Sequence, residues 1–126
     1  MAEHWMEESQ ATGRVKQIFE EIKSMLELPF VPKLFRVLGK DPDRLEETWG
    51  KLKELFGSGR LDVKTKTMVA LAVAVAQGSD YFTQIGSAAL KRLGTGEEQI
   101  SELKEVAELI AVLSRLTTQL RLEPEI

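Results

Sequence analysis

The sequence predicts an all-α protein of about six helices. Three observations carry that prediction. Apolar residues recur at three- and four-residue steps, prolines and glycines interrupt them at helix-length intervals, and nothing alternates with period two for long. No Asn-Gly or Asp-Gly dipeptide marks a hairpin.

The elements follow in order. Val15, Ile18, Phe19, Ile22, Met25 and Leu26 form one stripe, so that helix buries one face. Pro29 and Pro32 end it, and Pro32 can open a short helix carrying Leu34, Phe35, Val37 and Leu38, stopped by Gly39. Asp41-Pro42 reads as a cap and first-turn proline, followed by the stripe Leu45, Trp49, Leu52, Leu55 and Phe56 up to Gly57-Ser58-Gly59. Mid-stripe, Trp49 reads as core or subunit contact.

Asp62 can cap a fourth helix through Met68, Val69, Leu71, Ala72 and Val75 to Gly78. It is apolar on most sides, which predicts a central position. Ser79 or Asp80 opens a fifth helix, with Phe82, Ile85, Ala88, Ala89 and Leu93 expected inward and Gly94 as its stop. Thr95 and Glu98 have capping-box spacing for a last helix, whose expected inner face is Ile100, Leu103, Val106, Ala107, Ile110, Leu113 and Leu116. The expected organisation is a single domain over 10–120, with loose tails at 1–9 and 121–126. His4 and Trp5 fall in the first tail and are expected to be mobile unless a partner chain orders them.

Composition narrows the chemistry. The chain has 126 residues, enough for one real core. It contains no cysteine, which removes thiolate nucleophiles, disulfides and cysteine metal sites together. Net charge is −3 without a basic stripe, so nucleic acid is not an expected partner. The longest apolar run, 68–76, is too short for a bilayer, and the acidic start does not read as a signal peptide. A cytoplasmic protein is expected.

The ordered spacings resemble a known family. They are Pro32-x-Leu34-Phe35-x-x-Leu38, Pro42-x-x-Leu45, Leu61-Asp62-x-Lys64-Thr65-Lys66, Ala70-Leu71-Ala72-Val73 leading to Gly78, and Ala88-Ala89-Leu90 leading to Gly94. Gly94-Thr95-x-Glu97-Glu98-x-Ile100-x-Glu102 closes the series. In that order they resemble the carboxymuconolactone decarboxylase and alkyl hydroperoxidase D (AhpD-like) superfamily. The resemblance implies an AhpD-like helical bundle, homo-oligomers (trimers or hexamers), and a site between the central helix and the next. In the peroxidase branch that site is C-x-x-C-x-x-x-H, with a glutamate twelve residues before the first cysteine. A thiolate there is stabilised by helix N-terminal amides, and the histidine one turn on relays protons.

Laid on this chain, the pattern gives Thr67 for the glutamate, Ser79 and Phe82 for the cysteines and Gly86 for the histidine. The decarboxylase branch keeps a histidine at the position of Gly86, absent here as well. The resemblance therefore implies the fold and assembly while arguing against both family chemistries.

The substituted residues have plain readings. Ser79 lacks a nearby base, since the one histidine is His4, and a serine before a helix usually caps it. Gly86 inside a helix costs about 1 kcal/mol against alanine, so it calls for a packing reason. Phe82 filling the vacated space, close approach of another helix, or a pocket for an apolar ligand each supply one. Tyr81 could donate a hydrogen bond but suits a surface or interface position. Adjacent carboxylates such as Glu46-Glu47 and Glu97-Glu98 point apart on a helix and cannot share an ion, so no metal and no cofactor is expected. What remains is a scaffold, partner-binding or ligand-binding role, with an apolar small molecule as the ligand class. The alternative is an enzyme with a cysteine-independent mechanism built on Tyr81, Ser79 or Thr67.

Overall fold

A computed structural model describes residues 4–126, so residues 1–3 of the expected N-terminal tail lie outside the described residues. A 3₁₀ turn, Glu8–Gln10, is followed by α1 (Gly13–Leu26), α2 (Lys33–Leu38), α3 (Pro42–Gly57), α4 (Val63–Gln77), α5 (Asp80–Arg92) and α6 (Glu97–Gln119). No strand occurs among the described residues. The chain forms two compact units, one ending at Ser58 and the other spanning Gly59–Ile126.

In the first unit α3 packs on α1 and α2. Val15, Phe19, Ile22, Val31, Phe35, Leu38, Leu45 and Trp49 form the core. The Trp49 ring meets Phe35 edge-on at 5.6 Å, and its indole N–H donates to Glu21 Oε1 at 3.0 Å. Burying the ring is affordable in polar terms because its one donor is satisfied. Gly39 ends α2 in right-handed helical geometry, and its role is closeness: a Cβ there would lie 2.9 Å from Phe19 Cζ.

The segment expected to be a loose tail is held in place over residues 4–11. The Met6 amide donates to Arg36 O at 3.2 Å, and Glu8 Oε2 accepts from the Val31 amide at 3.0 Å. Lys33 Nζ sits 4.6 Å from the Trp5 ring centroid. Cation–π attraction and backbone pairing fix this segment without a long apolar stripe, which is why its sequence does not advertise order.

In the second unit α4 packs against both α5 and α6, the central position that its composition predicts. Leu71, Leu90 and Ile100 are its buried core. Asp62 Oδ1 caps α4 by accepting from the Thr65 amide at 2.7 Å. Gly78 closes α4 with φ 71°. At α6 the capping box differs from the expected one. The cap is Gly96, whose amide donates to Gln99 Oε1 at 3.2 Å. Thr95 is buried just before it, and its hydroxyl has no partner.

Two burial faces also differ from expectation. On α5 the buried residues are Gly86 and Leu90, while Phe82, Ile85, Ala88 and Leu93 are exposed. On α6 Ile100 and Ala107 are buried, but Val106, Ile110, Leu113 and Leu116 are exposed. On α6, Val106 and Ile110 line an open groove alongside α4, and helix length adds to the exposure further on. With 23 residues against 15 in α4, α6 exceeds its neighbour by roughly 12 Å at 1.5 Å per residue.

Candidate functional site

The stripe Thr67, Leu71, Ala74 is the buried edge of α4, at steps of four and three. Thr67 is buried, and its hydroxyl donates to Val63 O, one turn back, at 2.7 Å. That bond uses its single proton within its own helix.

On α5, Ser79 Oγ accepts from the Phe82 amide at 3.3 Å, so Ser79 is the cap its position suggests. Asp80 follows in the first turn, exposed, where a negative charge suits the positive end of the helix. Gly86 lies close against Leu71 of α4. A Cβ there would lie 3.3 Å from Leu71 Cβ and 3.4 Å from Leu71 Cδ1. Of the three reasons open for this glycine, close helix approach is the one realised, and the approaching helix is α4 of the same chain.

Phe82 does not fill the vacated space. It is 43% exposed and meets Tyr81 edge-on at 5.3 Å on the outside of α5. The structure thus brings Thr67 and Gly86 to facing buried stripes of two packed helices, keeps Ser79 at the helix start, and turns Tyr81 and Phe82 outward.

Two of the open surface grooves are lined by none of these five residues. One, about 420 Å³, lies in the first unit beside Met6, Arg14 and Lys40. The other, about 770 Å³, runs between α4 and α6 and is lined by Met68, Val73, Val106 and Ile110 among others. Beside Gly86, where an apolar-ligand pocket was one of three alternatives, Leu71 packs instead.

The carboxylates that the fold perturbs are structural. Glu8 is held below the usual carboxylate range chiefly by the Val31 amide, helped by Lys23. Glu21 is lowered by Lys53 and then by the Trp49 N–H, and Asp62 by the Thr65 amide it caps. Among the described residues no group of three His, Asp or Glu side chains could hold a metal. No helix among them is long and apolar enough to cross a membrane.

The fold is an all-helical scaffold without cysteine, in which Thr67 bonds its own helix, Ser79 is a cap, Phe82 an outward ring and Gly86 a packed glycine. The chain belongs to the carboxymuconolactone decarboxylase family, whose pattern it matches over residues 42–122. Its backbone is similar to the crystal structure of the alkylhydroperoxidase AhpD core from Rhodospirillum rubrum, with a TM-score of 0.88, 27% identity, and coverage of 99% of this chain and 94% of that one. It is also 32% identical to the (R)-2-haloacid dehalogenase of Pseudomonas putida, over a stretch of 52% of this chain and 24% of that protein. The chain therefore matches about a quarter of the length of this curated relative.

Sequence reasoning passed over two features. Asp80 is the one carboxylate between residues 77 and 90, visible as such but read only as a possible helix start. Leu71, the residue that makes Gly86 necessary, has no signal of its own among the apolar residues of α4.

Proposed function

We propose that this chain is a homo-oligomer that keeps the family scaffold without its thiol peroxidase or decarboxylase chemistry, and works as a partner- or apolar-ligand-binding protein. One observation carries the reading: the four family positions are already committed to folding. Thr67 bonds its own helix, Ser79 caps α5, Gly86 lies against Leu71, and Phe82 pairs with Tyr81 on the surface. A proton relay near neutral pH needs a group that titrates there, and none of the four side chains does. The open apolar groove between α4 and α6 is the binding surface this reading uses. A chain without cysteine also fits a reducing, cytoplasmic setting.

The test is a hydroperoxide turnover assay with a dithiol reductant, alongside native mass spectrometry of the purified protein. The expected results are no rate above buffer and an oligomer. Sustained peroxide consumption refutes the loss of chemistry, and a plain monomer refutes the assembly.

A second reading, a cysteine-independent enzyme, is favoured by the likeness to a haloacid dehalogenase. Hydrolysis of a carbon–halogen bond needs no sulfur. Water oxygen forms the new C–O bond, halide leaves with the electrons of the broken one, and a carboxylate takes the proton. Asp80, beside Ser79 and Tyr81 at the start of α5, is the candidate base. It is exposed in the single chain, so a water-excluding site there needs a neighbouring subunit. Halide release from (R)- or (S)-2-chloropropionate, abolished in Asp80→Asn, supports this reading over the first. No halide from either enantiomer removes it.

A further inference from the structure

We infer that the groove between α4 and α6 binds a long-chain monocarboxylate, its tail lying along the groove and its carboxylate on Arg115. This ligand class rests on the apolar-ligand reading above and adds to it a head group and an orientation.

The first observation is shape. The α6 side of the groove runs from Leu103 to Arg115, and α4 contributes Met68, Ala72, Val73 and Ala76. Ala107 is buried, and Ala72 and Ala111 are half-buried, so small side chains form the floor. Val73, Val106 and Ile110 are each more than half exposed and supply apolar walls. The volume, about 770 Å³, falls within the roughly 300–1,000 Å³ of small-molecule sites. From Leu103 to Arg115 the groove runs roughly 18 Å at 1.5 Å per residue. One acyl chain covers half of a bilayer's hydrocarbon core, about 15 Å. A single extended tail therefore matches the groove in length.

The second observation is where polarity begins. Every lining residue from Met68 through Ala111 is apolar. The two polar ones, Ser114 and Arg115, are the last on α6, so they lie together at one end. Arg115 is the one charged residue of the lining. Its own helix offers it no carboxylate: the residues three and four positions away are Ala111, Val112, Thr118 and Gln119. A guanidinium in this position presents a planar fork of donors that suits a carboxylate. Ser114 adds a hydroxyl beside it.

Charge along α6 sets the direction. Glu97, Glu98, Glu102, Glu105 and Glu108 crowd its first half against Lys104, whereas Arg115 is the one charged residue between 109 and 119. An anionic head is repelled from the Leu103 end and drawn to the Arg115 end. The same distribution selects a free amphiphile over an anionic membrane surface. Such a surface recruits clusters of Lys and Arg, and this groove has a single cation in a chain of net charge −3.

Calorimetric titration of myristate into the purified full chain, below the micelle concentration, is the test. Tetradecanol serves as the uncharged tail and acetate as the bare head. Saturable binding of myristate is expected, and none of acetate. Arg115→Gln should weaken myristate about tenfold, the order of a charge-assisted contact, and leave tetradecanol unchanged. Arg121→Gln, which removes a cation outside the groove, should leave myristate unchanged. Ile110→Glu should weaken both ligands with helical circular dichroism intact, because this side chain is exposed. A chain that takes up no myristate overturns the inference. If Ile110→Glu then changes the mass seen by native mass spectrometry, a second copy occupies the groove and the homo-oligomer reading stands. Equal weakening of myristate and tetradecanol by Arg115→Gln, or of neither, overturns the placement of the head. Acetate binding as tightly as myristate overturns the tail. Binding to phosphatidylcholine–phosphatidylserine vesicles without uptake of free myristate overturns the free amphiphile in favour of a membrane surface. Should Ile110→Glu lose its helical signal, the comparison of the two ligands in Arg115→Gln decides on its own.

Discussion

Replacing Gly86 with alanine asks whether this glycine exists for contact or by indifference. The new Cβ would sit 3.3 Å from Leu71 Cβ, 3.4 Å from Cδ1 and 3.5 Å from Cα. Carbon atoms rest at about 3.5–4.0 Å, so α4 and α5 must part by a few tenths of an ångström. Two of the three atoms lie at or next to the α4 backbone, so no flexible chain end can swing clear. Overpacking of this kind costs about 1–3 kcal/mol. The helix itself gains about 1 kcal/mol when glycine becomes alanine. The net expectation runs from no change to about 2 kcal/mol of destabilisation. Leu71→Ala alone should cost about 2–5 kcal/mol through its cavity. In that background Cδ1 is gone but Cβ and Cα remain, so the cost of Gly86→Ala should fall in part and not vanish. The two changes should then couple by about 0.5–1.5 kcal/mol. Urea unfolding of the four proteins, followed by far-ultraviolet circular dichroism at one chain concentration, gives the cycle. A Gly86→Ala protein about 1 kcal/mol more stable than the parent, with Leu71 intact, would show that nothing presses on this position and refute the argument.

The remaining predictions concern the caps, the first core and the N-terminal segment. Ser79→Ala should cost about 1 kcal/mol in urea unfolding while Ser79→Asn holds most of it, since a cap needs an acceptor and not a nucleophile; equal loss in both variants would contradict the cap. Gly39→Ala should cost about 1–3 kcal/mol because its Cβ would press on Phe19 Cζ, and the cost should shrink in a Phe19→Leu background; an unchanged cost in that background would point to another cause. Glu8 is lowered in the folded state, so its contribution is complete above the ordinary carboxylate pKa of about 4.3 and disappears as pH falls through its lower folded value. Trp5 fluorescence should therefore report release of the N-terminal segment in an acid titration with a midpoint below about 4.3. Glu8→Gln should remove that transition; a midpoint at or above the ordinary value would disprove the assignment.

What the sequence discloses here tracks how local each cause is. Asp41, Asp62 and Ser79 were legible as caps because a cap involves a side chain and an amide three residues on. The α6 cap moved by one residue because Gly96 accepts the extended conformation and Gln99 reaches back to its amide, an option that Thr95 and Glu98 concealed. The ordering of residues 4–11 was not legible, since Trp5 depends on Lys33, and Glu8 on Val31 and Lys23. Those partners lie too far along the chain for any periodicity to announce them. Family spacing pointed to Thr67, Ser79, Phe82 and Gly86 as the candidate positions. Their occupation was not legible, because whether Gly86 meets Phe82, another subunit or Leu71 depends on helix rotation, and α5 has apolar residues on more than one side.

The same ambiguity explains why most of the expected inner face of α5 is exposed, and why that of α6 is covered at Ile100, Leu103 and Ala107 but open at Val106, Ile110, Leu113 and Leu116. Periodicity reports that a stripe is to be covered and is silent on which chain covers it. Gly86 and Leu90 are covered from within, by α4 and its neighbours. Phe82, Ile85, Leu109, Leu113 and Leu116 are not. In α5 the division follows from Gly86: because that glycine lets Leu71 in, α5 is drawn onto α4 along the Gly86–Leu90 line, and the aromatic pair Tyr81–Phe82 is rotated out. One residue can thus link two consequences. The glycine at position 86 lets Leu71 pack between α4 and α5, and Tyr81 and Phe82 stand on the outside of α5. A chain that closed its inner site in this way would depend more heavily on a partner surface. Gly86→Ala offers a direct reading of that dependence, since prising α5 from α4 should alter the exposure of Tyr81 and Phe82 along with stability.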